Sequence, residues 1–262
     1  MTLFAVRKPT APPLKWAGGK RWLLPQLAER LPKYERFVEP CMGSLSVTLG
    51  LAPDKALVND INPHLTNFYQ QIQKGLHFNL PYGHDEAEYY QARDRFNECI
   101  QGGQMATPEM AQLFYYLNRT GFNGLCRFNK SGLFNVPFGR YKSIRYRENF
   151  DDITEALRGV DIQQGDFSEL AYRDGDFIFV DPPYDAPFTS YSAGGFDWSD
   201  QVRLAEFYAQ LGLPAVICNQ ATARAVDLYT DLGYRVETHE APRRISSSGD
   251  RSEVLEVLAW ML

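Results

Sequence analysis

Asp176-Phe177-Ile178-Phe179-Val180-Asp181-Pro182-Pro183-Tyr184 is the stretch on which the fold turns. The apolar run ending at Val180 reads as a short buried strand. It stops abruptly, because neither proline can donate to a sheet ladder and the residue before each proline is held extended. The Asp181 carboxylate and the carbonyls of Pro182 and Pro183 are therefore expected at the strand's carboxyl edge, where ligands sit in open α/β sheets.

That acceptor-rich, rigid corner suits one kind of chemistry. An exocyclic amino group on a nucleobase is a poor nucleophile, since its lone pair is delocalised into the ring. A carboxylate and a carbonyl accepting its two hydrogens favour a tetrahedral nitrogen, whose lone pair can then point at an electrophilic methyl group. An aromatic face such as Tyr184 can hold the base in place. The plainer alternative is a strand-to-loop turn carrying a surface aspartate.

Strands and helices alternate on both sides of this stretch. Upstream, Phe37 to Pro40 reads as the first strand, Cys41-Met42-Gly43-Ser44-Leu45-Ser46 as a turn into a helix, and Lys55 to Val58 as a second strand ending in Asn59-Asp60. Asp60 lies 17 positions past Gly43, as a ribose-binding acid at the second strand's tip would, or it caps the helix that follows. There is no Gly-x-Gly-x-x-Gly, which favours a nucleoside ligand without phosphates. Helices are expected over 21–30, 62–74, 85–101, 108–118 and 146–157, and a short strand over 160–162 precedes Asp166-Phe167, an acid and an aromatic that suit a base or a turn. Downstream, helices 199–211 and 221–231 alternate with strands 214–218, 233–239 and 254–260. Phe188 and Tyr191 fall near the expected target pocket, and 243–251 reads as a flexible basic loop.

With 262 residues and 44% apolar content, the chain accommodates one large α/β domain carrying an insertion. No apolar run is long enough to span a membrane, and Met1 to Pro13 lacks the apolar core of a signal peptide. Cys41, Cys99, Cys126 and Cys218 are widely spaced, and the four histidines show no ligand spacing. The expectation is a reduced, cytoplasmic protein without metal, with a monomer as the default. The net charge of −5 argues against a polyanionic partner, but its distribution does not. From Met110 to Arg147 there is no acid, while Arg119, Arg127, Lys130, Arg140, Lys142, Arg145 and Arg147 carry positive charge. Glycines, asparagines and phenylalanines recur through 119–142, suggesting a β-hairpin and loops built to touch a phosphate backbone and base edges. An exposed Phe122 can wedge into a base step.

Leu-Lys-Trp-Ala-Gly-Gly-Lys at 14–20, Phe-Val-Glu-Pro at 37–40, Asp-Ile-Asn at 60–62, the block from Asn118 to Asn129, Phe-Asn-Val-Pro-Phe-Gly-Arg-Tyr-Lys at 134–142 and Asp-Pro-Pro-Tyr at 181–184 stand in that order. The set resembles the Dam family of DNA adenine-N6 methyltransferases. The resemblance implies a Rossmann-like S-adenosylmethionine-dependent methyltransferase sheet with helices on both faces. It implies a catalytic domain over 1–75 and 143–262, with an inserted helical and β-hairpin target-recognition subdomain over 76–142. By motif position, Trp16, Lys20, Glu39, Gly43, Asp60, Asp166 and Asp181 would contact the cofactor, S-adenosyl-L-methionine. Asp181, Pro182 and Tyr184 would hold a flipped adenine. Lys15, Phe122, Asn123, Leu125, Arg127, Pro137 and Tyr141 would contact double-stranded DNA, with Arg127 reading a guanine of 5′-GATC-3′. The family's Phe-x-Gly-x-Gly is here Cys41-Met42-Gly43-Ser44-Leu45, and Leu45 is expected to add bulk where the cofactor approaches the backbone. Two alternatives follow: a GATC-binding protein that is catalytically weak or silent, and an RNA adenine-N6 methyltransferase.

Overall fold

The computed structural model describes residues 8–185, 195–241 and 254–262. Phe188, Tyr191 and the 243–251 loop lie outside the described residues. The seven strands β1 (Arg36–Glu39), β2 (Ala56–Asp60), β3 (Val160–Gln164), β4 (Asp176–Val180), β5 (Ala215–Gln220), β6 (Arg235–Ala241) and β7 (Val254–Met261) form one sheet in the order β3-β2-β1-β4-β5-β7-β6. β1 to β5 run parallel, and β7 is antiparallel to both β5 and β6. The order reverses between β1 and β4, so the turns leaving those two strands part at a crevice on the carboxyl edge.

β4 shows why this apolar run is a strand. Phe177 and Phe179 enter one core with Phe37 and Val58, while Ile178 and Val180 enter the other with Val38 and Leu57. Both faces are covered, so no polar alternation is needed. Helix α1 (Leu24–Arg30), α2 (Ser46–Leu51), α3 (Pro63–Gln73), α4 (Glu86–Gln101), α5 (Pro108–Thr120) and α6 (Asp151–Ala156) contribute to the first core. Helix α7 (Trp198–Leu211) and α8 (Ala223–Asp231) cover the second. The first core continues from the sheet through α3 to α4 and α5, so buried residues on both sides of position 76 share one cluster. Among the described residues no helix is long and apolar enough to cross a membrane.

Two expectations need correction. The helix expected over 146–157 is only Asp151–Ala156. Its first half is diverted: Arg147 N–H donates to the Tyr115 hydroxyl at 2.8 Å, the Glu148 carbonyl accepts from Phe78 N–H at 3.0 Å, and Asn149 Oδ1 takes Asp151 N–H at 2.6 Å. The hairpin expected within 119–142 has no regular ladder and keeps two isolated antiparallel bridges, Gly121 to Phe138 and Phe128 to Phe134. Side-chain amides capture the backbone instead. Asn129 Oδ1 accepts from Ser131 and Leu133 N–H at 2.9 and 3.0 Å, and Asn97 binds both backbone groups of Phe134 at 2.8 and 3.1 Å.

Candidate active site and nucleic-acid interface

The chain leaves β4 through Asp181, and Lys20 reaches it from the 14–20 arm. The Lys20 side chain is 1% exposed, with Nζ 3.1 Å from Asp181 Oδ1 and 3.7 Å from Glu256 Oε2. Ser46 Oγ accepts the Lys20 N–H at 3.0 Å, and Nζ also donates to the Gly18 carbonyl at 2.5 Å. Burial opposes charge on Lys20, but Asp181 and Glu256 outweigh it and raise its pKa. The contact with Asp181 is an ion pair without hydrogen-bond alignment. Asp181 Oδ1 is therefore a buried acceptor with no hydrogen-bond partner among the described residues. Burial pushes the Asp181 carboxyl up to about 6, against the pull of Lys20.

Tyr184 closes the same corner. Its hydroxyl donates to Glu256 Oε2 at 2.7 Å, and Lys20 Nζ stands 4.8 Å from its ring centroid. Both proline carbonyls were expected at the edge, but one is already used: Gln201 of α7 donates to the Pro183 carbonyl at 2.7 Å. Asn219 of β5 fixes Gln201 at 2.9 Å and accepts from Asp185 N–H at 3.0 Å. The acceptors left at the corner are Asp181 and the carbonyl of Pro182, which makes no hydrogen bond with the described residues.

Across the crevice, Asp60 ends β2. Its Oδ2 accepts from Gly43 N–H at 3.0 Å and its Oδ1 from Asn62 N–H at 2.9 Å. The cap of α3 is Asn62, which accepts from His64 and Leu65 N–H at 3.0 and 3.4 Å, so Asp60 is not spent on a cap. Each Asp60 oxygen keeps a lone pair. Burial pushes this carboxyl also up to about 6. Beside it Ile61 is 53% exposed, an apolar face at the crevice. Glu39 is buried, accepts from the Thr48 N–H and hydroxyl at 3.0 and 2.5 Å, and is pushed by burial up to about 8. Asp166 is engaged by the Arg203 guanidinium at 2.9 and 2.8 Å, which holds its carboxyl well below the usual range.

Gly43 takes φ +45, and a Cβ there would stand 2.9 Å from Trp16 Nε1, so the indole and the turn approach each other only because this residue is glycine. Leu45 also adopts a left-handed conformation, φ 60, at a cost of roughly 1–2 kcal/mol for a side chain with a Cβ. Its side chain is fully buried in the first core. The expected bulk at the crevice is thus directed inward.

The second group of candidate residues forms one surface. Lys15 Nζ lies 3.8 Å over the Tyr141 ring, and the Tyr141 hydroxyl donates to the Gly121 carbonyl at 2.9 Å. Phe122 N–H donates to the Pro137 carbonyl at 2.8 Å, and Phe122 is 44% exposed. Asn123 is exposed at φ 52, and Leu125 packs partly against the core. Asn118, the last buried amide of α5, binds Lys15 N–H and carbonyl at 2.8 and 2.7 Å, joining the arm to this surface. Exposed Arg127 donates from Nε and Nη2 to Asn135 at 2.8 and 2.9 Å. That uses one edge of the guanidinium fork and leaves the Nη1/Nη2 edge for a bidentate acceptor pair such as guanine O6 and N7.

Sequence reasoning missed Glu256, Gln201, Asn135 and Ile61. A signal existed for one: Glu256 is the lone charge in the apolar run from Val254 to Trp260. The others act through contacts that only the tertiary register supplies.

Comparison with known proteins agrees with this chemistry. The model of the D12 class N6 adenine-specific DNA methyltransferases matches residues 16–245. A type II methyltransferase of Lactococcus lactis subsp. cremoris is 35% identical, covering 93% of each chain. A DNA adenine methylase of Vibrio cholerae is 35% identical, covering 94% of each. The retron Ec67 DNA adenine methylase of Escherichia coli is 33% identical over 94% of this chain and 90% of its own. An acceptor corner at the switch point, a basic surface joined to it by one arm, and these matches lead to the same place: the chain belongs to the D12 class of N6 adenine-specific DNA methyltransferases.

Proposed function

We propose that this enzyme methylates the adenine of 5′-GATC-3′ in duplex DNA after flipping it into the Asp181-Pro182-Pro183-Tyr184 corner. One observation carries the reading: Asp181 Oδ1 is a buried acceptor without a hydrogen bond, at the carboxyl end of a central strand. The Lys20 ammonium 3.1 Å away offsets its charge, and a ligand donor would add the aligned hydrogen bond that a buried acceptor calls for. The Asp181 carboxylate and the Pro182 carbonyl accept the two hydrogens of the adenine amino group, and the Tyr184 ring stacks on the base. Flipping exposes that amino group to the corner.

S-adenosylmethionine, on which methyltransferases of this family generally depend, supplies an electrophilic methyl group when bound. The residues at the crevice fit it. The open lone pairs of Asp60 suit a ribose diol, exposed Ile61 suits the face of its base, and the carboxylate-rich corner at Asp181 suits its cationic sulfur. Trp16, Lys20, Glu39, Gly43 and Asp166 complete the proposed cofactor site. Among these, Glu39 and Gly43 act by shaping the turn, and Asp166 acts through its backbone, its carboxylate being engaged by Arg203.

Residues 76–142 are assigned to target recognition, and 1–75 with 143–262 to catalysis. Arg127 reads a guanine with its open edge, and Phe122 wedges beside the vacated base. Lys15, Asn123, Leu125, Pro137 and Tyr141 line the same surface.

Transfer of labelled methyl from S-adenosylmethionine to a GATC duplex and to a GTAC duplex tests this. Incorporation into the first alone is expected. Equal incorporation into both would overturn the site assignment, incorporation only into single-stranded RNA would overturn the substrate, and tight GATC binding without incorporation would leave a silent binder.

A further inference from the structure

Glu256 is a buried carboxylate to which neither the motifs nor the proposed chemistry gives a task. It lies on β7 opposite Gln220 of β5 and His239 of β6, 7% exposed, followed by the fully buried Val257, Leu258 and Ala259. A carboxylate in such a strand is costly unless it is paired. Its Oε2 has two partners, and both belong to the acceptor corner: the Tyr184 hydroxyl at 2.7 Å and Lys20 Nζ at 3.7 Å. Among the described residues this is the well-formed hydrogen bond of the Tyr184 hydroxyl, and the Asp181 carboxylate is its other polar neighbour. Without Glu256 the ring keeps its apolar packing and loses the one directional contact that fixes its tilt.

We propose that Glu256 is a positioning residue for methyl transfer: from the antiparallel strand it fixes the tilt of the Tyr184 ring. It touches neither substrate nor cofactor. It acts through Tyr184 first, so its effect depends on the Tyr184 hydroxyl. The inference rests on the reading of Tyr184 as the face that receives the target adenine.

The test is a double-variant cycle read by single-turnover methylation of a GATC duplex and by the fluorescence of a duplex with 2-aminopurine at the target position. Glu256→Leu is expected to lower the single-turnover rate about a hundredfold, with cofactor and DNA affinities within threefold of the parent. Glu256→Gln keeps an acceptor for the Tyr184 hydroxyl and is expected to recover at least tenfold of that loss. In a Tyr184→Phe background, Glu256→Leu is expected to cost less than threefold, because the contact is already gone. The 2-aminopurine signal, bright on flipping and quenched by stacking, is expected to change in Glu256→Leu at equal DNA occupancy. Equal losses in the two backgrounds, or an unchanged rate in a folded Glu256→Leu protein, would overturn the proposal. Should Glu256→Leu fail to fold, Glu256→Gln carries the test: a smaller loss that vanishes in the Tyr184→Phe background supports it, and a rate within twofold of the parent overturns it. Absence of any 2-aminopurine response in the parent enzyme would count against base flipping, a failure separate from additive losses at positions 184 and 256.

Discussion

At the carboxyl edge of the sheet, the polar groups are buried and held by one another, Lys20 against Asp181 and Glu256, and Tyr184 against Glu256. On the surface formed by Lys15 and 118–142 they are half-buried or exposed and held by amide side chains, the Lys15 backbone by Asn118 and the Arg127 guanidinium by Asn135. The first arrangement fixes atoms closely and makes their protonation sensitive to burial. The second leaves Arg127 in water and Lys15 half-buried, positive charges whose attraction for phosphates depends on salt. Chemistry needs the first and target search the second. The 14–20 arm belongs to both, with Lys15 in one region and Lys20 in the other.

The largest way to separate them is Asp181→Ala. Removing one buried acceptor at the reacting group should cut turnover by about 10³ or more, with duplex affinity within threefold. A variant that turned over well, or one that lost DNA as fast as it lost chemistry, would merge the two regions. Gly124→Ala acts on their junction. Gly124 has φ +63, and a Cβ there would lie 2.5 Å from Lys15 Cβ and Cδ. Thermal unfolding should show a loss on the order of 2–3 kcal/mol, and the surviving protein should bind DNA more weakly. Alanine at Gly75, with φ +89 and open space around it, is the control for backbone strain alone.

Arg127→Ala sharpens the contrast inside the recognition surface. Discrimination at one base pair of the site should relax by ~1–3 kcal/mol, measured by competition among single-base variants of GATC. A uniform loss over all sequences would make Arg127 a phosphate contact. The smallest effect near neutral pH is protonation, and it has opposite signs in the two regions. Asp181 accepts only as a carboxylate, and burial has moved its pKa up to about 6, so the methylation rate should fall as pH drops through about 6. Lys15 attracts phosphate only as an ammonium, and burial with Arg119 nearby has moved it down to about 8, so DNA affinity should fall as pH rises through about 8. A rate limb and an affinity limb that coincided would deny the division.

Much of this was legible in the chain. The strands around Phe37, Leu57, Phe177 and Val216 announce themselves by apolar runs bounded by turn residues, and all lie within about two residues of where the pattern puts them. The motifs at 14–20, 60–62, 118–142 and 181–184 name the residues that gather at the crevice and on the basic surface. Less legible was what each polar group is already doing. Nothing in Pro183 says that Gln201, from a helix after it, takes its carbonyl. Nothing local tells that Tyr115 and Phe78 divert the backbone at Arg147 and Glu148, so that the helix starts only at Asp151. Leu45 reads as an obstruction, yet a left-handed φ turns its side chain into the core. Side-chain direction at a turn depends on a dihedral angle that one sequence does not state.

The placement of β7 between β5 and β6 bears on how the enzyme comes into being. Those two strands have no ladder with each other, and each waits for residues 254–261. During synthesis the segments of the basic surface and of the five parallel strands emerge before residues 254–261. Until then β5 presents an open edge, a hazard for pairing with another chain. Closing it sets Glu256 beside Lys20, a partner 236 positions earlier. The acceptor corner is therefore complete only once β7 has docked.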